Sequence, residues 1–240
     1  MKTILVILAL ALSAHSDVTI HVGDVTISGS RLTPYENAWL MSAQYPDGRK
    51  VDQGVWTDAL RAGNVNGRAV MIRTQGLTYL NGLQSMIVNT FDAATLAPIS
   101  TETRGRAGRV IKRTFAGAHI ETRLTPPGGA EQMSAADLPM PVFDFNGGMY
   151  GLLFAAQRLK VGLTGELPAV NDVTNTYETV PFAVVRQERI GAGAKGDVDA
   201  WVVETGKPVS FRFWIIDRAP YIVKLVGVGQ GSDTVWEMIR

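Results

Sequence analysis

Residues 209–216 read Val209-Ser210-Phe211-Arg212-Phe213-Trp214-Ile215-Ile216. At the two-residue period of an extended chain, Val209, Phe211, Phe213 and Ile215 fall on one side and Trp214 and Ile216 on the other. A strand that is apolar on both sides must be covered twice, once by the interior of its sheet and once by a helix, a loop or a ligand. Residues 221–226 meet the same condition apart from Lys224. Elsewhere the alternation is one-sided: Ile120, Thr122 and Leu124 against His119, Glu121 and Arg123 give one dry and one wet face.

Outward from these strands, turn residues recur at about the ten-residue spacing of consecutive antiparallel strands. Tyr45-Pro46-Asp47-Gly48 reads as a hairpin, with Pro presetting φ and Gly supplying a positive φ. Further turns are expected at residues 63–67, Asn81-Gly82, Ala93-Ala94, residues 104–108, Ala116-Gly117, Gly206-Lys207, Arg218-Ala219 and residues 229–232. The pattern predicts about seven strands over 35–125 and about five over 179–239. The fold class is therefore mainly β: a single curved antiparallel sheet with one short central helix.

That helix is expected over 147–158, after a loop over 126–146 that carries Pro126, Pro127, Pro139 and Pro141. Asn146 stands where an N-cap belongs, and Arg158 and Lys160 suit the C-terminal end. The helix is short and almost wholly apolar, which places it against or inside the sheet. Residues 165–178 read as a second long loop. No repeat or linker divides the chain, so residues 17–240 form one domain, with an N-terminal arm over 17–34 and the loop-and-helix insertion over 126–158.

The chain has 240 residues, 46% of them hydrophobic and 19% charged, and no cysteine, which excludes a disulfide framework. Met1-Lys2-Thr3, an unbroken apolar run over 4–12 and Ala14-His15-Ser16 read as a cleavable signal peptide over 1–16. The expected location is periplasmic or secreted. The apolar run is shorter than the roughly 20 residues a membrane span needs, and there is no cysteine for lipid attachment. Loss of Lys2 leaves basic and acidic residues in balance, so neither nucleic acid nor an anionic membrane is an expected partner.

The sequence assembles no catalytic set. His21 and His119 are the imidazoles beyond residue 16, no Gly-x-Ser-x-Gly elbow is present, and zinc or copper ligands of N/S type are lacking. No catalytic residue, metal ligand or cofactor is therefore expected, and enzymatic activity is not assigned. Gly191-Ala192-Gly193-Ala194-Lys195-Gly196 lacks the Gly-Lys-Ser/Thr ending of a phosphate loop and reads as a hairpin loop. Arg104, Arg106, Arg109, Lys112 and Arg113 form the densest basic cluster, expected at a solvated hairpin that could meet an anionic headgroup or polysaccharide. Asp144, Glu166, Asp172 and Glu178 lie in or beside the two long loops and leave open an envelope carbohydrate-active hydrolase. A non-catalytic interaction or scaffold protein is a further alternative.

The most suggestive constellation is apolar. Met140, Phe143, Phe145, Met149, Tyr150, Leu153 and Phe154 crowd Met and aromatic side chains around the helix and its entry loop. Such side chains adapt to irregular apolar partners. They are the candidate ligand-binding residues for an apolar or amphipathic small molecule, with Phe143, Met149, Leu153 and Phe154 facing inward beneath a lid formed by the helix and its entry loop.

Three stretches carry a family resemblance. They are Phe91-Asp92-Ala93-Ala94-Thr95-Leu96-Ala97-Pro98-Ile99; Phe143-Asp144-Phe145 with Leu152, Leu153 and Leu159-Lys160-Val161-Gly162; and Asp199-Ala200-Trp201-Val202-Val203-Glu204 with Phe213-Trp214-Ile215 and residues 220–225. Together they resemble a bacterial group of exported β-rich proteins classed as a domain of unknown function. That group is similar at fold level to periplasmic lipoprotein carriers, whose sheet wraps a helical plug, and the resemblance implies a strongly curved antiparallel sheet, a half-barrel or open barrel, for this chain. The resemblance implies a hydrophobic cavity but no cargo and no catalytic residues.

Overall fold

The computed structural model describes residues 17–144, 149–171 and 174–239, so the expected signal peptide lies outside the described residues. Turn chemistry cuts the first half of the chain into seven long strands. These are β2 (Tyr35–Gln44), β3 (Lys50–Val65), β4 (Arg68–Tyr79), β5 (Gln84–Asp92), β6 (Pro98–Arg104), β7 (Val110–Ala116) and β8 (His119–Thr125). At the β2–β3 turn Gly48 takes φ 85° and its N–H donates to Tyr45 O at 3.0 Å. The turn expected over 63–67 contracts to Asn66-Gly67, with φ 52° and 83°. Two successive positive φ values match the twist of a two-residue hairpin, so Gly63 stays in the strand and β3 reaches 16 residues.

Ahead of these strands the N-terminal arm forms β1 (Asp17–Thr19) and a 3-10 turn over Gly29–Arg31. The second half holds β11 (Tyr177–Gly191), β12 (Asp197–Thr205), β13 (Phe211–Ile215), β14 (Ile222–Gly227) and β15 (Asp233–Met238). Both expected long loops are shorter than the sequence suggested. The first contains β9 (Gln132–Asp137) and the second opens with β10 (Thr164–Val170). Pro168 lies inside β10, yet its carbonyl accepts from Phe143 N at 2.9 Å. A residue's N and C=O point to the same side of a strand, so the missing N–H faces Phe143 and β11 loses no bond.

The strands join into one open sheet in the order β1-β10-β11-β12-β13-β14-β15-β2-β3-β4-β5-β6-β7-β8-β9. It is a meander of β2–β9 and a meander of β10–β15, fused where the C-terminal strand β15 pairs with β2. The pairing is antiparallel, as expected, apart from the three-residue β1, which lies parallel to β10. β9 therefore ends at one edge, and β10 begins beside the other. The chain must cross a face of the sheet to connect them, and α1 (Tyr150–Ala155) lies on that crossing.

The helix is shorter than the expected 147–158. Met149, not Asn146, precedes its first turn and makes no side-chain cap, no basic residue stands in its last turn, and Asn146 lies outside the described residues. What holds the helix is packing. Leu152, Leu153 and Phe154 are buried, and a Cβ on Gly151 would collide with Ile222 and stand 3.2 Å from the Phe213 ring. Among the described residues, no helix is long and apolar enough to cross a membrane.

The β5–β6 connection explains the first resembling stretch. Asp92 Oδ1 accepts from Ala94 N (3.0 Å), Thr95 N (2.8 Å) and Thr95 Oγ1 (2.8 Å), while Arg68 Nε donates to Oδ2 at 2.8 Å. This turn admits Leu96 at φ 57° with its side chain buried. Partial burial alone would raise the Asp92 pKa, but these hydrogen bonds outweigh it and lower it to about 2. A carboxylate depressed in the folded state adds stability above its ordinary pKa and loses it as pH falls through the folded value. The acid limb of a stability–pH curve should therefore carry an Asp92 contribution that fades between about pH 4 and 2. Urea unfolding of Asp92→Asn at stepped pH should show a deficit at pH 6 that disappears by pH 2.

Candidate functional site

On the face that meets Asp144 of the crossing segment, register aligns side chains across eight strands: Tyr35, Leu60, Arg73, Asn89, Thr101, Arg113, Thr122 and Ser134. Seven of these eight are buried, Ser134 being the exposed one. Most of the row is polar, which apolar alternation could not have indicated. Asp58, in the next rung between Asn37 and Gln75, completes its strongest element. Arg73 Nε and Nη2 donate to the two Asp58 oxygens at 2.9 Å each, and Tyr35 Oη donates to Asp58 Oδ2 at 2.8 Å. Burial would lower the Arg73 pKa, but Asp58 outweighs that and raises it, so the guanidinium stays charged. Burial and then Asp58 push the Tyr35 hydroxyl well up, keeping it a donor.

Two loops close over the rest of the row. Asp144 accepts from Asn89 Nδ2 at 3.1 Å and from Thr101 Oγ1. Asn175 Oδ1 accepts from Arg113 Nη2 at 3.3 Å and from Thr122 Oγ1 at 3.4 Å. Arg113 thus leaves the expected solvated basic cluster: it is 3% exposed, while Arg109 is exposed and Arg104 and Lys112 pair with Glu102 at the surface. Of the four carboxylates weighed for hydrolysis, Asp144 is consumed by this row and Glu178 accepts from Asn171 Nδ2 at 3.1 Å. Glu166 is exposed, and Asp172 lies outside the described residues. His119 pairs with Asp137 at 2.6 Å, and residues 191–196 form the β11–β12 hairpin loop. Among the described residues no group of three or more His, Asp or Glu is placed to hold a metal.

The structure brings most of the expected ligand-binding set together as packed interior. Phe143, Met149, Leu153 and Phe154 are buried, and the Phe154 ring lies 5.2 Å from Phe182 and 5.8 Å from Phe213. Tyr150 is half-buried and stacks on Phe154 at 6.5 Å. Met140 lies outside this group, its sulfur accepting from Tyr177 Oη at 3.7 Å, and Phe145 lies outside the described residues. The space bounded by Phe91, Leu96, Phe143, Met149 and Leu153 is only about 10 Å3, room for about one water. Phe154→Ala should therefore cost about 3–5 kcal/mol in denaturant unfolding, the range for truncating a packed aromatic.

Open concavity lies elsewhere. One cleft, about 640 Å3, runs beside β1 and β10. It is lined by the buried Phe182, several small residues and the charged Glu166, Glu204 and Lys207, with Glu204 engaged by Arg212 Nε at 2.7 Å. A second cleft of about 530 Å3 sits on the face that carries α1, at the end of β2–β4 and β15. Its lining is Met41, Gln53, Trp56, Leu77, Tyr79, Leu80, Asn81, Thr234 and Trp236. None of these nine side chains is charged.

Register builds this second cleft. Trp39, Trp56 and Leu77 share one rung, and Trp236, Met41, position 54 and Tyr79 share the next. Position 54 is glycine, so no side chain stands between Met41 and Tyr79. Trp56 meets Trp236 edge-on at 5.7 Å and 81°, and Trp39 meets Trp56 at 6.4 Å and 65°. Trp39 is buried, whereas Trp56 and Trp236 keep part of their surface exposed and Leu80 stands out 72% exposed at the hairpin tip. Sequence reasoning missed this site because Trp56 and Trp236 are 180 positions apart and meet only through the β15–β2 pairing. The available signal was one tryptophan on each of three strands, Trp39, Trp56 and Trp236.

The Arg73–Asp58 pair should dominate mutational stability. Asp58→Ala should cost about 3–5 kcal/mol, because it strands a buried guanidinium. The double variant Asp58→Leu/Arg73→Met should recover most of that loss in the same urea titration. The model of the family described as protein of unknown function (DUF3108) matches residues 31–232, and the chain belongs to that family. No curated protein and no solved structure matches it.

Proposed function

For this member of DUF3108, we propose a non-catalytic binding protein of the bacterial cell envelope that holds an uncharged amphipathic molecule in the Trp56–Trp236 cleft. The observation that carries the reading is the pair of half-exposed indoles set nearly perpendicular in a cleft without a charged side chain. Small-molecule sites are concave and mostly apolar, measure about 300–1,000 Å3 and carry a few polar groups; this cleft has that size and makeup. Rings fixed edge to face present a corner that does not collapse when empty, which lowers the ordering cost of binding. The apolar run over 4–12 and Ala14-His15-Ser16 support export of the chain from residue 17 onward.

The helix and its aromatic neighbours then serve as the rigid core behind the cleft, linked to it through the helix-bearing face that Trp39 shares with Leu60 and Tyr35. Monomeric n-dodecyl-β-maltoside, which joins an uncharged polar head to an alkyl chain, tests the reading. It should bind the wild-type protein in calorimetry and change its tryptophan fluorescence. Trp236→Ala should weaken binding by about tenfold or more, a loss of about 1.4 kcal/mol. Leu80→Asp, at an exposed tip where folding is not at stake, should weaken it as well by setting a charge on the rim. Binding undiminished in both variants would move the site elsewhere.

A further inference from the structure

We infer that the part of such a molecule recognised by the cleft is a neutral saccharide ring and not an alkyl chain, a conclusion that rests on the binding reading above. The nine lining side chains divide into a floor and a rim. Met41, Trp56, Leu77 and Trp236 supply apolar and aromatic surface, and Gln53, Tyr79, Asn81 and Thr234 supply amide and hydroxyl groups around it.

An alkyl chain laid over this surface would take the Gln53 amide, the Asn81 NH2 and the Thr234 hydroxyl out of water and offer them no hydrogen bond, at a cost of about 1–3 kcal/mol for each group left unpaired. A saccharide ring has the matching division. Its C–H faces are apolar and lie flat on an indole, and its hydroxyls radiate from the ring edge as both donors and acceptors. Amide and hydroxyl side chains are likewise two-way partners, able to donate to and accept from such hydroxyls.

Charge narrows the class further. A phosphate, sulfate or uronate would be taken out of water with no cationic side chain among the lining residues to receive it. The nearby lysines are committed on the opposite face of the sheet, where Lys50 and Lys224 both hold Glu237, at 2.5 and 3.1 Å. The side-chain alternation of β15 puts Glu237 and Trp236 on opposite faces. The perpendicular indoles supply one ring as floor and the other as wall, so the saccharide is gripped on a face and an edge at once.

The experiment separates the head from the tail of the amphiphile. Maltose, cellobiose and N,N′-diacetylchitobiose are titrated calorimetrically into the wild type, Trp236→Ala and the rim double variant Gln53→Ala/Asn81→Ala, alongside 1-octanol. At least one disaccharide should bind, about tenfold more weakly in Trp236→Ala and in the rim variant, while 1-octanol should show no binding that the rim variant alters. If 1-octanol binds and none of the three disaccharides does, the saccharide assignment is overturned while the cleft still stands as a site for an uncharged amphiphile. If the disaccharides, 1-octanol and n-dodecyl-β-maltoside all fail to bind a folded wild-type protein, both readings fall. Disaccharide binding unchanged in both variants overturns the assignment to this cleft.

Discussion

The structure is organised by a connection that has to traverse its own sheet. β9 closes one meander at an edge, and β10 opens the other next to the three-residue strand β1 at the far end. The described residues between them run across the helix-bearing face, and the polar groups of that crossing that are taken out of water need partners there. Phe143 finds one by a single parallel bridge to Ala169, Ser28 donates to Ala156 O at 3.1 Å, and Asp144 supplies a carboxylate to Asn89 and Thr101. The buried polar row is the sheet's side of the same arrangement: an irregular chain lying on a sheet needs polar groups beneath it, and a smooth apolar face would leave it unsatisfied. The Arg73–Asp58–Tyr35 group then fixes β2, β3 and β4 to one another.

The strands of the first meander were legible because their turns are chemical: Pro46 and Gly48, Asn66-Gly67 and Asn81-Gly82 are residues selected for φ values that few others take. β9 and β10 were illegible for the complementary reason. Pro139, Pro141 and Pro168 read as strand breakers, and nothing local shows that Pro168 turns its nitrogen away from β11. The helix was placed by its apolar residues, but its ends were not, because Met149 and Ala156 bound it by packing and not by caps.

The interior was read better than the surface. Phe143, Met149, Leu153 and Phe154 do gather, since a run of large apolar side chains next to a short helix has few other places to go. Arg73 and Arg113 show the limit of pattern reading, because an arginine on an alternating strand looks solvated until its carboxylate or amide partner is brought in from another strand or a distant loop. The tryptophan cleft shows it more sharply. Trp39, Trp56 and Trp236 each look like ordinary sheet residues, and their meeting depends on a pairing between opposite ends of the chain.

That pairing also orders the assembly of the molecule in time. Each hairpin within a meander closes over a few residues, but the seam between the meanders joins groups such as Lys50 and Glu237, 187 positions apart in sequence. Contacts so distant in sequence form late, because the entropy of closing so long a loop is repaid only when the strands already exist. A chain emerging from its N-terminus would hold β2 as a bare edge until residues 233–238 became available to cover it. During that interval the protein carries an unpaired strand bearing Trp39 and Met41, a stretch vulnerable to pairing with other chains. The last strand to be made is thus the one that seals the most adhesive edge, and in the same step it sets Trp236 opposite Trp56.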